Sequence, residues 1–390
     1  MFIFGNRIWH DFEKYLIVNG KNGLISDKSK NYKINENPFK IIQKFVEEEK
    51  GIKLGYISYN LSRFIENLKI GEDDLNIPDC ILVSVDPEKS NLIEDERNQE
   101  EPIEINETQD RYEKEKFIRA IEEAKKYIYR GDIYQVNLSR RIEFETEENP
   151  YDIFSRYIGV QKIKFPAFFN FSPFANFCIG SGSMEIFLQK QQAKIRECPI
   201  KGTRKIPNGA DEETINKISE ELRSDEKELA ENLMIVDMVR NDLGKICKNV
   251  KVKRLFDVER YSTLLHLVSE VEGEIENKVG LSEILIATFP PASVTGAPKK
   301  SAMQIIEKLE GKRRGPYCGA IMKFEENGDF TMLVSIRIFL HIASKVYYWT
   351  GCGIVWDSDP YKEWEESITK TKAFIKALFS TKNSKQKMKK

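Results

Sequence analysis

The sequence predicts an α+β fold on three observations. Strand-like segments cluster without the regular strand–helix alternation of a parallel sheet, and adjacent ones are spaced so that several can pair antiparallel. Neither G-x-G-x-x-G after a strand nor G-x-x-x-x-G-K-[ST] is present to mark a nucleotide-binding βαβ unit.

Taken in order, Pro38–Glu48 reads as a helix and Ile52–Tyr59 as a strand. A polar, acidic stretch, Asp86–Asp110, joins an N-terminal region (1–105) to the main body (106–380), and the two are expected to share one composite domain. The main body opens with a helix from Arg111 to Arg130. Its Phe117, Ile118, Ile121, Ala124 and Ile128 recur at helical spacing before Gly131 stops it. A strand follows in which Tyr134, Val136 and Leu138 alternate with Gln135, Asn137 and Ser139. Further strands are expected at Phe165–Phe171, Met332–Ile342 and Val346–Val355, and helices at Glu212–Leu222, Lys227–Val239, Leu281–Thr288, Ala302–Leu309 and Tyr361–Phe379. The Lys-rich tail, 381–390, reads as a disordered, solubilising end.

Composition narrows the function. With 41% hydrophobic and 32% charged residues over 390 positions, the chain has the make-up of an ordinary globular protein with a large core. Lys+Arg 61 against Asp+Glu 62 gives a net charge of -1, so neither nucleic acid nor an anionic membrane is expected as a partner. No apolar run reaches the roughly 20 residues of a membrane span, the N-terminus is unlike a signal peptide, and the six cysteines form no CxxC pair. A cytoplasmic location with reduced thiols is expected. Only three histidines occur, which leaves oxygen or thiolate ligands for any metal.

Two carboxylate pairs stand out. Glu228 and Glu231 are three apart on one predicted helix, and Glu363 and Glu366 are three apart on another, with Lys370 one turn beyond Glu366. Each pair shares a helix face. That face is either solvated or, if the helices meet, half of a site for a hard cation; spacing leaves both open.

Three turn-like segments carry groups that suit an anion. RECPIKGTRK (Arg196–Lys205) reads as a basic turn in which Lys201 is either exposed or a rigidly held nucleophile or anion clamp. TGAPK (Thr295–Lys299) and Gly351–Gly353 allow close backbone approach. Arg337 falls on the face of a predicted strand shared by Thr331, Leu333 and Ser335, where it needs a counter-charge from protein or substrate.

These segments belong to an ordered series that includes GYISYNLSRFIE (Gly55–Glu66), GDIYQVNLS (Gly131–Ser139), SGSMEIFL (Ser181–Leu188), PIKGTR (Pro199–Arg204), AENLMIVDMVRNDLG (Ala230–Gly244), HLVS (His266–Ser269), GPYCGAI (Gly315–Ile321), SIRI (Ser335–Ile338), GCGIV (Gly351–Val355) and ExxExxxK (Glu363–Lys370). On them the chain resembles component I of the chorismate-aminating enzymes, the family of aminodeoxychorismate synthase and anthranilate synthase. Isochorismate and salicylate synthases are its more distant relatives.

The resemblance implies two large antiparallel β-sheets packed face to face, helices around them, and a site in the cleft between. It implies Mg2+ bound directly by Glu231 and Glu366, with Glu228 and Glu363 holding its waters, and chorismate as substrate. Tyr317 and Arg337 match the clamp on the enolpyruvyl carboxylate, assisted by backbone at Gly351 and Gly353. Thr295, Gly296 and Lys370 match positions near the substrate carboxylates or metal, and His266 a histidine near the chemistry. Glu185 matches the general acid that protonates the departing C4 hydroxyl. Gln135 stands where the water-adding relatives carry a lysine base, which argues against hydration.

Lys201 is the branch marker. The resemblance implies that a lysine in PIKGT attacks C2 of chorismate and is then displaced as ammonia adds at C4, whereas anthranilate synthases carry alanine there. The expected activity is therefore aminodeoxychorismate synthase, with anthranilate synthase as the alternative. Ammonia would come from a separate glutamine amidotransferase subunit. Two departures from the family pattern are Met184, in place of a proline before the acid, and Pro291–Ala292, in place of two glycines.

Overall fold

The computed structural model describes residues 1–380 apart from 28, 70, 94–110, 161–162, 208, 262–263 and 277. Among these residues the strands form two sheets, and every strand-to-strand pairing is antiparallel. The first sheet runs in the order Gly296–Ala297, Gln135–Glu145, Lys345–Ile354, Ile338–Ile342, Phe177–Ser181, Ala167–Asn170, Phe2–Phe4, Arg7–Trp9, Ser90–Leu92. The second runs Ile200–Lys205, Leu264–Ile275, Lys194–Cys198, Ile186–Gln191, Phe330–Val334, Ala320–Phe324, Ile52–Ile57, Cys80–Val85, Lys14–Asn19, Asn22–Ser26, Asn31–Asn35, with Cys247–Arg260 also paired to Leu264–Ile275. The α+β reading holds, with helices flanking the sheets.

The sheets face one another through an aromatic core. Tyr56 of the second sheet lies 5.8 Å from Phe171 and 6.2 Å from Phe177, which belong to the first-sheet side. These rings are almost fully buried, and side chains of this size dominate the burial that drives folding. The outer face of the first sheet is covered by the helices Pro150–Val160 and Pro360–Phe379. There Tyr348 stacks on Phe374 at 4.3 Å and Phe144, Phe339 and Phe154 complete a second core. Residues before 94 supply strands to both sheets: Phe2–Phe4 pairs with Ala167–Asn170, and Ile52–Ile57 with Ala320–Phe324.

Several expected elements appear with little change, including Leu281–Thr288, Pro38–Glu48 and the long helices Glu226–Gly244 and Pro360–Phe379. The last is started by Asp359, whose carboxylate accepts from the Tyr361 and Lys362 amides, with Pro360 at the first helical position.

Four expectations are corrected. The Met332–Ile342 run is not one strand but two, Phe330–Val334 in the second sheet and Ile338–Ile342 in the first. Arg337 sits in the crossing between them with φ 52, a left-handed backbone that ends one pleat and redirects the chain. Gly351 and Gly353 lie within the Lys345–Ile354 strand rather than in a turn. PIKGTR is likewise a strand, Ile200–Lys205, and Lys201 is not an exposed turn residue, its side chain being 13% exposed. In TGAPK, Gly296–Ala297 pairs with Val136 and Gln135 as a short edge strand. The expected tail, 381–390, and most of Asp86–Asp110 lie outside the described residues; the described part of the latter includes the Ser90–Leu92 strand.

Candidate active site

The site is built where the first sheet's polar face meets the Ile200–Lys205 strand of the second. Alternation along Gln135–Glu145 carries Gln135 and Asn137 to one face, and both are buried, so this polar stripe lines the interior instead of meeting solvent. The neighbouring Lys345–Ile354 strand places Gly353 opposite Asn137 and Gly351 opposite Ser139. A Cβ at Gly351 would stand 2.9 Å from both Asn137 Oδ1 and Tyr317 Oη. One at Gly353 would stand 2.6 Å from Gln135 Nε2 and 3.4 Å from Lys201 Nζ. Two glycines thus leave a floor over which Gln135, Asn137, Tyr317 and Lys201 converge. Tyr317 is held there by stacking on Trp349, with rings 6.3 Å apart and nearly parallel.

The helices Glu226–Gly244 and Pro360–Phe379 bring the carboxylate pairs to this floor. Lys201 Nζ lies 4.0 Å from Glu231 Oε2, and Lys227 Nζ lies 4.0 Å from Glu231 Oε1. Burial raises the Glu231 carboxyl above its ordinary value; Lys201 and Lys227 oppose that, and Glu228 and Glu363 add to it. Glu363 is buried and its carboxyl is also raised, first by burial. Burial pushes Glu366 in the same direction, but Lys370, Lys227 and Lys201 together hold it below its usual value. Glu366 Oε1 pairs with Lys370 Nζ at 2.7 Å, and the same ammonium donates to the Gly351 carbonyl at 2.8 Å. Glu228 is half-buried and tied to Arg204 at 3.2 Å.

Cys352, Glu363 and Glu366 bring potential ligand atoms within 4.8 Å of one another. The Cys352 thiol donates to the Glu363 carbonyl, and burial drives its pKa far above the usual thiol range, so it stays protonated. The donors left are carboxylate oxygens, the set Mg2+ prefers, crowded closely enough to need positive charge. These residues fit the ion.

Glu185, just before the Ile186–Gln191 strand, is 5% exposed, and burial lifts its carboxyl to about 7 against opposing effects of Ser293, Lys201 and the Ile200 backbone. Met184 does not displace this carboxyl from the interior. His266 is 4% exposed; burial first, and then the charge of Arg337, lower its imidazole to about 4. It is therefore neutral at physiological pH, with Nδ1 paired to Thr203 Oγ1 at 2.9 Å and Nε2 without a hydrogen bond. Gln135 Oε1 and Asn137 Oδ1 are also buried without partners. Such atoms normally cost stability unless a ligand or water meets them, so they point to what the cleft receives.

Other predicted residues sit differently. Arg337 Nη1 donates to the Lys370 carbonyl at 3.0 Å, which joins the crossing to the Pro360–Phe379 helix. The Thr295 hydroxyl is committed to the Pro291 and Ala292 carbonyls, both at 3.1 Å, leaving its backbone as the part that faces neighbours. Gly296 has φ +144, and a Cβ there would fall 2.2 Å from the Gln135 carbonyl. Arg196 and Arg204, which flank Lys201 in sequence, are engaged by Glu270 and Gln189 and by Asp225 and Glu228 respectively. Sequence reasoning missed Asn137, Ser293, Glu197 and Cys352. Asn137 was signalled by its alternation with Gln135, and Glu197 by its inward register with Ile195. A cavity of about 390 Å³ lies elsewhere, against the outer side of the first sheet between Phe117, Arg140, Trp349 and Trp364, and none of the predicted site residues lines it.

The family model for chorismate binding enzyme matches residues 7–376. Anthranilate synthase component 1 of Acetivibrio thermocellus is 33% identical over 88% of this chain and 81% of its own length. Aminodeoxychorismate synthase component 1 of Bacillus subtilis is 32% identical over 84% of this chain and 77% of its own. Against several other anthranilate synthase relatives the chain spans about half of their length, 53% or 54%. The crystal structure of anthranilate synthase component I from Streptococcus pneumoniae superimposes with a TM-score of 0.79 at 25% identity, covering 96% of this chain and 92% of that one.

Proposed function

The chain belongs to the chorismate-binding enzymes, and within that family we propose that it aminates chorismate at C4 as an aminodeoxychorismate synthase component I. The carrying observation is Lys201, a primary amine held over the glycine floor 3.4 Å from the Gly353 Cβ position and close enough to Glu185 for its charge to act on that carboxyl. A nucleophile and an acid near one another suit a displacement in which attack and departure occur on different carbons.

In the proposed reaction the Lys201 amine forms a bond to C2 of the ring. Both ring double bonds shift, to C1=C6 and C4=C5, the C4–oxygen bond breaks, and Glu185 gives its proton to the leaving hydroxyl, which departs as water. Ammonia then bonds to C4, both double bonds return, the C2–nitrogen bond breaks to release Lys201, and a proton from the new C4 ammonium returns to the Glu185 carboxylate. The product is 4-amino-4-deoxychorismate, a precursor of 4-aminobenzoate and folate. Glu185, at about 7, carries enough of its acid form near neutrality to serve. Tyr317 and Arg337 would hold the enolpyruvyl carboxylate, and backbone at Gly351 and Gly353 would admit it. Gln135, Thr295, Gly296 and Lys370 would border the ring, with neutral His266 at its edge. Glu231 and Glu366 would hold Mg2+ directly and Glu228 and Glu363 through water; when bound, the ion supplies positive charge for the ring carboxylate. Ammonia would be delivered by a glutamine amidotransferase subunit.

A second reading has its own support. The relatives from Acetivibrio thermocellus, Aquifex aeolicus, Synechocystis and Haloarcula marismortui all bear the name anthranilate synthase component 1, which favours amination at C2 and release of anthranilate. Product analysis decides. With chorismate, ammonium and Mg2+, the protein is expected to give 4-aminobenzoate once a lyase specific for aminodeoxychorismate is added. Lys201→Ala is expected to lose most of that product. Anthranilate as the main wild-type product would replace the first reading by the second.

A further inference from the structure

Behind Glu185 lies a small polar cavity that the reaction above does not use. Its volume is about 10 Å³, the room one water requires, and it is lined by Glu185, Glu197, Ser293, Pro199, Ile235 and Val239. Glu197 Oε1 is buried and forms no hydrogen bond, and Ser293 Oγ, also buried, is close enough to Glu185 to act on its carboxyl. Three oxygen-bearing side chains therefore surround a space that fits one water, in a setting otherwise made of apolar groups.

The charges around Glu197 decide its form. From the Glu226–Gly244 helix it faces Asp242, from the Lys299–Glu310 helix Lys299, from the adjoining strand Cys247, and across the cavity Glu185. Asp242 is engaged by Lys299 and, at 2.8 Å, by Lys245, so the nearby cations are already matched. Burial, then Asp242 and Glu185, push the Glu197 carboxyl well above its ordinary range despite Lys299. A second carboxylate beside Glu185 would leave two like charges in one dry space, so Glu197 stays neutral.

We propose that Glu197 is a positioning residue for the proton donor: as a neutral carboxylic acid it holds one water, together with Ser293, and through it hydrogen-bonds to Glu185. No covalent bond changes at Glu197, and its proton stays where it is. The water bond stabilises the Glu185 carboxylate left after proton donation and fixes the carboxyl's orientation. The inference rests on Glu185 being the acid, and its test separates the two claims.

Four variants in the full chain, assayed by chorismate consumption, supply that test. Glu197→Gln keeps a neutral donor of the same shape and is expected to stay within about twofold of wild type in kcat, with the alkaline limb of its pH profile in place. Glu197→Leu removes the donor. It is expected to lower kcat by about tenfold or more and to move the alkaline limb upward, because an unsupported carboxylate holds its proton more tightly. Ser293→Ala is expected to move both in the same direction by less. In substrate-free protein, the infrared difference between wild type and Glu197→Gln at pH 8 is expected to show the C=O stretch of a protonated carboxylic acid. A downward shift of the limb in Glu197→Gln, or a carboxylate band in its place, would mean that Glu197 is charged and would overturn the proposal. So would a Glu197→Leu protein with wild-type kcat and profile. If Glu185→Gln retains full activity while the infrared band is present, the reading of Glu185 as the acid has failed instead.

Discussion

Lys201 Nζ stands 4.0 Å from Glu231 Oε2, so the amine proposed as the nucleophile pairs with a carboxylate proposed to hold the metal. The two proposed sites are in contact. Changes on either side of this contact should register on the other.

Metal dependence follows first. Glu231→Gln or Glu366→Gln is expected to cut turnover by about 100-fold or more with added Mg2+, while the melting temperature stays within a few degrees of wild type. Chelator-treated wild type should lose activity and regain it on adding Mg2+. Full activity of either variant without metal would remove the carboxylates from the ion site.

The two site glycines make opposite predictions. At Gly353 an added methyl meets the tips of Gln135 and Lys201, both side chains, so Gly353→Ala should fold and show an increase in KM of about tenfold or more. At Gly296 the methyl meets the Gln135 backbone at 2.2 Å with φ +144, so Gly296→Ala should cost about 2–3 kcal/mol of stability, measured by denaturant unfolding.

As the proposed proton donor, Glu185 would set the pH response: that role needs the acid form, so chorismate turnover is expected to hold below pH 7 and to fall as pH rises through about 7. Glu185→Gln should abolish turnover and leave binding of chorismate, followed by protein fluorescence, largely intact.

His266 sets an acid-side stability. Its folded value near 4 lies below the ordinary 6.5, so the unfolded chain binds the extra proton between those values. Stability that is fully present above about 6.5 is lost as pH falls toward 4, by up to about 3 kcal/mol. His266→Gln should flatten that part of the curve of unfolding free energy against pH.

The purified chain is expected to use ammonium and not glutamine, and to gain glutamine-dependent turnover when the amidotransferase subunit is added. Glutamine turnover by the isolated, mass-verified chain would overturn this.

Local rules reached the helices because their signals are local. Asp359, Pro360 and the spacing of Trp364, Ile368 and Ile375 mark the last helix within one window. Spacing also put Glu228 with Glu231 and Glu363 with Glu366, but whether the two helices meet depends on sheets assembled from the whole chain. The Arg337 crossing was hidden for the same reason. The residues from Met332 to Ile342 keep a strand-like composition throughout, and only the left-handed turn at one arginine separates two sheets. Lys201 looked like part of a basic turn because Pro199 and Gly202 punctuate it, yet antiparallel pairing with Leu267 keeps the segment extended. Its functional reading came from a family resemblance rather than from periodicity.

The strand Ile52–Ile57 pairs Tyr56 with Ile81 on one side and with Ile321 on the other. The first partner leaves the ribosome almost at once; the second follows 265 positions later. At roughly 5–20 residues added per second, that edge waits on the order of ten seconds to a minute before its neighbour exists. During translation the nascent chain therefore exposes an apolar strand edge, a surface that favours chaperone capture and self-association at high expression, and it is closed only when nearly the whole polypeptide has been made.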